Sequence, residues 1–261
     1  MDAHDNPVLH LERRDAVALI SLDRPERLNA IGSDTIALLH TALDEIEADE
    51  SLRAIVVTGV GRAFSAGADI SELDTLQSGA DFGRFVQGLT DAFDRLAQCT
   101  TPSVAAINGI ALGGGCELAL ACDLRLAAPN GRLGVPEVKL GLLPGAAGTQ
   151  RLARLVPVAV AKHMLMTGIP LSADAALGYG LINAIHDDVV DAALELAQSL
   201  ATGAPLALAA AKRLVDAGTE MTLADGIVFE REVVSALFDT HDRVEGIAAF
   251  NAKRQPTFTG R

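Results

Sequence analysis

The sequence predicts an α/β fold built on a largely parallel sheet and followed by an all-helical C-terminal region. Up to about residue 186, short β-branched apolar runs alternate with stretches of helical periodicity, the pattern of right-handed crossover units. From Val189 onward only helical periodicity remains. The 261 residues, 49% hydrophobic but only 3% aromatic, supply a large core of Ala, Leu, Val and Ile. We therefore divide the chain into residues 1–188, an α/β core, and residues 189–261, a helical region expected to pack on that core or on another subunit.

The elements follow in order. Residues 8–13 and 16–22 alternate about the polar pair Arg14-Asp15 and predict a hairpin. A polar loop, Asp23-Arg24-Pro25-Glu26-Arg27-Leu28-Asn29, comes next. Ser33 is the expected N-cap of a helix over 33–49, with Ile36, Leu39, Leu43 and Ile46 on one face. Residues 52–58 read as a buried strand ended by Gly59, which sets 62–70 at the carboxyl edge of a sheet, where α/β proteins bind ligands. Residues 71–80 are polar and irregular, and 82–96 form a second amphipathic helix. Pro102 precedes a strand over 104–107, bounded by Asn108-Gly109. Gly113-Gly114-Gly115 then leads into good helix formers over 116–122. The closing helices span 189–202, 205–217, 223–239 and 243–254, with Thr222 and Asp242 as expected caps.

The totals exclude several classes of partner. A formal charge of −13 with no basic cluster argues against nucleic acid or an anionic membrane. No apolar run reaches membrane-spanning length. Three cysteines without CxxC spacing fit a reduced, cytoplasmic setting, and six scattered histidines predict no metal site. The polar segment Met1-Asp-Ala-His-Asp-Asn6 reads as neither signal nor transit peptide.

Chemistry is concentrated between Ser103 and Gly148. Glycines at a helix start let backbone N–H groups approach a ligand where the helix dipole is positive. Glu117 follows at once among Cys116, Leu118 and Leu120, and a lone Glu in apolar surroundings is costly unless paired or used. Glu137 sits between Pro136 and a Gly/Pro-rich loop. Two carboxylates beside an N–H cradle can divide acid and base duties while the N–H groups stabilise an oxyanion. Other motifs fail: no Lys-Ser/Thr follows the glycines as in a P-loop, Phe64 stands where a dinucleotide fingerprint needs its third glycine, and Ser65 and Ser103 lack a Gly-x-Ser-x-Gly elbow.

Arg62-Ala-Phe-Ser-Ala-Gly-Ala-Asp-Ile70, Ile107-Asn-Gly-Ile-Ala-Leu-Gly-Gly-Gly-Cys-Glu-Leu-Ala119 and Pro136-Glu-Val-Lys-Leu-Gly-Leu-Leu-Pro-Gly-Ala-Ala-Gly-Thr-Gln-Arg-Leu152 together resemble the crotonase superfamily and, more narrowly, the enoyl-CoA hydratases. The resemblance runs from Asp23-Arg24-Pro25 to Ala249-Phe-Asn-Ala-Lys-Arg254. It implies a crotonase-like spiral of ββα units followed by a helical trimerisation region, assembled as a homotrimer or dimer of trimers. It assigns the oxyanion hole to the backbone N–H groups of Ala68 and Gly114, and catalysis to Glu117 and Glu137. Coenzyme A, as part of an acyl-CoA thioester substrate, would meet Arg24, Arg27, Leu28, Ala66, Asp69, Ile70 and Lys253, the last reaching a neighbouring subunit's site. No metal or redox cofactor is implied. The expected reaction is reversible hydration of a 2-enoyl-CoA. A Δ3,Δ2-enoyl-CoA isomerase needs only one base, and a non-catalytic acyl-CoA-binding subunit needs neither glutamate, so the intact pair favours hydration.

Overall fold

The computed structural model describes residues 7–261; the segment Met1–Asn6 lies outside the described residues. The chain opens with the antiparallel hairpin β1 (Leu9–Arg14) and β2 (Val17–Leu22), joined through Asp15 at φ 55. A 3₁₀ turn (Pro25–Arg27) leads to helix α1 (Ser33–Ala48). Three strand pairs follow: β3 (Ala54–Gly59) with β4 (Ala63–Ser65), β5 (Ser103–Ile107) with β6 (Ile110–Leu112), and β7 (Leu124–Ala127) with β8 (Arg132–Gly134). Between the first two pairs lie α2 (Ile70–Leu73) and α3 (Gly79–Gln98), and between the second and third lies α4 (Gly114–Ala121). After β8 come a 3₁₀ turn (Pro136–Leu140), α5 (Gly148–Leu155), α6 (Val158–Thr167), β9 (Leu171–Ser172), α7 (Ala173–Gly178) and β10 (Ala184–Ile185). Helices α8 (Val189–Ala201), α9 (Pro205–Gly218), α10 (Leu223–Phe238) and α11 (His241–Asn251) close the chain.

The first strand of each pair joins a six-stranded sheet, β1-β2-β3-β5-β7-β10, and the second joins a smaller sheet, β4-β6-β8-β9. Apart from the β1–β2 hairpin and the β8–β9 pairing, every ladder is parallel. The larger sheet is buried on both faces, which explains its continuous apolar strands. Ala18, Ile20, Ile55, Val57, Ala105 and Ile107 face the main core, while Val17, Leu19, Val56, Val104 and Ala106 meet Val189, Ala193, Ala197 and Ala201 of α8. The period of two along β2, β3 and β5 thus divides each strand between two cores.

The single sheet expected from the alternation is corrected to two. Strands β4, β6 and β8 have three residues each, too short for a period of two to register. The irregular stretch 71–80 likewise holds most of α2 and the start of α3, capped by Ser78, whose side chain accepts from Asp81 N–H. Ser33 is not a cap: Gly32 holds that position, and the Ser33 hydroxyl and N–H both turn to Glu72. Asp242 is not one either, because Thr240 caps α11. Asp242 instead lies buried, with its carboxylate accepting from Thr259 and Gly260 N–H at 2.7 and 2.9 Å. Thr222 does cap α10. No helix among the described residues is long and apolar enough to cross a membrane.

Asn29 ties the polar loop to the second sheet. It is buried at φ 56, its amide donates to the Val60 and Ala63 carbonyls at 3.0 and 2.8 Å, and its oxygen accepts from Arg24 N–H at 2.9 Å. Asn tolerates this left-handed conformation better than most residues. Asn29→Ala should therefore lower stability by roughly 2–4 kcal/mol, measured by denaturant unfolding. A loss below about 1 kcal/mol would show that other contacts hold the loop.

Candidate active site

Two chain turns meet at the ends of β4 and β6. Beyond β4, Gly67 adopts φ 106, and a side chain there would stand 2.8 Å from the Leu112 carbonyl. Beyond β6, Gly113 adopts φ 53 and turns the chain into α4. Only glycine fits either position without strain. The close approach sets the backbone N of Ala68 3.5 Å from where a Gly114 Cβ would be built. Neither the Ala68 nor the Gly114 N–H has a protein acceptor among the described residues. Gly114 opens α4, so its N–H is one that the helix itself cannot satisfy. These two donors face a cavity of about 440 Å³.

Glu117 lies one turn into α4, whose residues are all buried, and is itself 2% exposed. Its Oε1 accepts from the Ala146 and Gly148 N–H groups, both at 2.8 Å. A side chain at Gly148 would come within 2.7 Å of that oxygen, so the cradle requires glycine there. Glu137 is half-buried on the 3₁₀ turn after β8, and its Oε2 is buried without a partner. Both carboxylates line the cavity with Ala68 and Gly114. Burial pushes Glu117 up to about 7; the Gly148 and Ala146 N–H groups and Arg151 pull the other way, while the Glu137 charge adds to the rise. Burial raises Glu137 as well. Both carboxyls are thus held toward the protonated form by burial, Glu117 more deeply than Glu137.

The remaining wall is largely apolar: Phe82, Phe85, Val86 and Leu89 of α3, with Leu140, Leu142 and Leu143 after Glu137. Ala66, Asp69, Ile70 and Arg27 also line it. Asp69 caps α2 by accepting from Ser71 N–H, and holds Arg24 at 3.1 Å and Arg27 at 3.5 Å. Burial pushes its carboxyl up, but Ser71 and the two arginines outweigh that and hold it below the usual range.

The model of the Enoyl-CoA hydratase/isomerase family matches residues 12–261. The chain belongs to that family. It is 39% identical over 250 residues to the short-chain-enoyl-CoA hydratase of Clostridium acetobutylicum, covering 94% of this chain and 95% of that one. It is 40% identical over 255 residues to the 2,3-dehydroadipyl-CoA hydratase of Escherichia coli, covering 97% and 99%. The crystal structure of enoyl-CoA hydratase from Bacillus anthracis superposes with a TM-score of 0.94 at 35% identity, over 97% of this chain and all of that one.

The structure of this family member brings Arg27, Ala66, Ala68, Asp69, Ile70, Gly114, Glu117 and Glu137 around one cavity. Three residues assigned to coenzyme A lie outside its lining. Arg24 is turned onto Asp69, and Leu28, at φ 52, offers its carbonyl to Ala66 N–H at 2.9 Å. Lys253, at φ 52, follows the end of α11. The sequence marks α3 as an amphipathic helix but singles out no residue of its apolar face, and it does not mark the N–H groups of Ala146 and Gly148. The first carries no motif beyond amphipathic spacing; the second shows only as Gly145-Ala-Ala-Gly148 ahead of a helix.

The raised carboxyl of Glu117 makes stability depend on pH. Its ordinary value is 4.5 and the fold raises it to about 7, so the folded state keeps the proton longer and stability falls as pH rises across that interval. Between about pH 5 and about pH 8, wild type should lose about 3 kcal/mol relative to Glu117→Gln, measured by denaturant unfolding. A difference that stays flat with pH would show that the carboxyl titrates as in water.

Proposed function

We propose that this chain is an enoyl-CoA hydratase that adds water across the 2,3 double bond of a 2-enoyl-CoA with an apolar acyl chain. The observation that carries the reading is a pair of carboxyls on one cavity beside two backbone donors with no protein acceptor. The thioester oxygen would accept from Ala68 and Gly114 N–H, which hold the enolate charge that develops there. Glu117, with one oxygen occupied by two N–H groups, has its other free to accept a proton from water as that water bonds to C3. Glu137, buried without a partner at Oε2, is suited to carry the proton that passes to C2. The product leaves with Glu117 protonated and Glu137 ionised, so a proton returns from one to the other before the next turnover. The Phe and Leu lining favours a hydrocarbon tail over an acyl chain ending in a carboxylate.

The assembly belongs to the same proposal. Leu223, Phe238 and Phe250 are 82%, 61% and 83% exposed on α10 and α11, an apolar surface suited to a homotrimer or a dimer of trimers. Lys253 would reach coenzyme A in a neighbour's site from this region. Lys253→Ala should then raise KM for enoyl-CoA several-fold with kcat little changed. A pantetheine thioester lacking the nucleotide should not register the change; equal weakening of both substrates would rule the phosphate contact out.

Crotonyl-CoA decides the reaction. Wild type should consume it with formation of the 3-hydroxy product, and Glu137→Gln should lower the rate by about 10² to 10⁴ with the fold intact. Interconversion of 3-enoyl and 2-enoyl isomers without hydration would make the chain an isomerase. Absence of both reactions would leave it a binding subunit.

A further inference from the structure

Helix α3 meets the segment that holds Glu117 at three points spaced by four residues. Val86 packs on Gly145, where a side chain would stand 2.7 Å from its Cγ1. The Thr90 hydroxyl donates within α3 to the Val86 carbonyl at 2.9 Å and lies 3.3 Å from the Gly145 carbonyl. Asp94 Oδ1 accepts from Arg151 Nη2 at 2.6 Å. Residues 86, 90 and 94 lie on one helical face. Arg151 in turn sits in the opening turn of α5, where its N–H makes a bond to the Ala147 carbonyl at 2.9 Å. The two residues flanking Ala147 are Ala146 and Gly148, the donors to Glu117.

We propose that the Arg151–Asp94 ion pair is a positioning device for Glu117, clamping the segment that carries its two N–H donors against α3. The proposal rests on the hydratase reading and adds residues to it that do not touch the substrate. The pair is buried on its Arg151 side: Arg151 is 18% exposed against 45% for Asp94, and the Arg151 Nη1 is buried without a partner. Removing it frees Ala146 and Gly148 to drift, and a drift on the order of 1 Å at a reacting group costs roughly 10²-fold in rate. The guanidinium also favours the ionised form of Glu117. The other charged group facing Glu117 is Glu137, from the 3₁₀ turn after β8, while Cys116 beside it stays a neutral thiol because burial pushes it up to about 12.

The test uses the full-length protein, crotonyl-CoA, and the variants Arg151→Met, Arg151→Lys and Asp94→Asn, with melting temperature measured for each. Arg151→Met should lower kcat roughly 10- to 100-fold with KM within about twofold of wild type, and Arg151→Lys should recover part of that loss. The acid limb of the kcat–pH profile should move up by about half a unit in Arg151→Met, which removes a cation near the base. It should stay or move down in Asp94→Asn, which removes one carboxylate beside that cation and leaves Asp216 of α9 as the other. Opposite displacement of the limb is not produced by loosened packing alone. Folded Arg151→Met with kcat within about twofold of wild type would overturn the proposal. So would losses that follow melting temperature while the pH limbs stay put. Wild type that does not hydrate crotonyl-CoA removes the hydratase reading underneath; wild type that hydrates, loses activity in Glu117→Gln and ignores changes at 94 and 151 removes only the clamp.

Discussion

Burying the Glu117 carboxylate is the requirement that organises the surrounding chain. A buried carboxyl needs hydrogen-bond partners, and side chains would bring bulk into the cavity that it lines. The chain answers with backbone. Two N–H groups from the segment before α5 take one oxygen, leaving the other toward the cavity. Backbone can approach this closely only where Cβ atoms are missing, which is why Gly113 and Gly148 lie directly against the two carboxylates. The same need acts one layer out. A Cβ on Gly115 would stand 2.5 Å from the Ser65 carbonyl, so α4 rests on β4 with nothing between them. The spacing of the two free N–H groups is thus set by contact between main chains.

The small second sheet makes that contact possible. The ends of β4 and β6 present Ala68 and Gly114, and β8 leads directly to Glu137. Parallel pairing of these strands brings three turns to one end, so Ala68, Gly114 and Glu137 converge from well-separated stretches of the sequence. The larger sheet supplies the rigidity beneath, with both faces packed.

Legibility from sequence followed the same division. Glu117, Glu137, the glycine run and the segment after Arg62 were readable because the backbone packs so closely here that sub-contact spacing leaves room for glycine alone, and the glycines mark where the carboxylates lie. The six-stranded sheet and the helices were readable from apolar periodicity. Strands of three residues carry too little period to be seen, so the second sheet was missed although its turns were singled out. The two misplaced caps share one cause. Ser33 and Asp242 have the right residue type beside a helix start, but each side chain is claimed by a distant partner, Glu72 in one case and the chain near Gly260 in the other. The α3 wall is legible as an amphipathic helix but not residue by residue, because many apolar side chains satisfy an apolar cavity wall. The coenzyme A positions are the least direct: Arg24 and Arg27 looked like free cations in sequence, whereas both are bound to Asp69.

Helix α3 presents two faces with different tolerance for change. Phe82, Phe85 and Leu89 line the cavity, Phe85 and Leu89 with their inner sides in the main core, and their side chains make no hydrogen bonds that a change of size would break. Asp94, a quarter-turn away, is bonded to Arg151 in the segment that carries the Glu117 donors, and Thr90 lies against that segment at Gly145. Divergence among descendants of this sequence should therefore appear along α3 as stripes, with variable apolar positions every three or four residues beside a nearly fixed polar row. The shape of the cavity can thus change along one row of the helix while the contacts of the Glu117 segment are kept one row over.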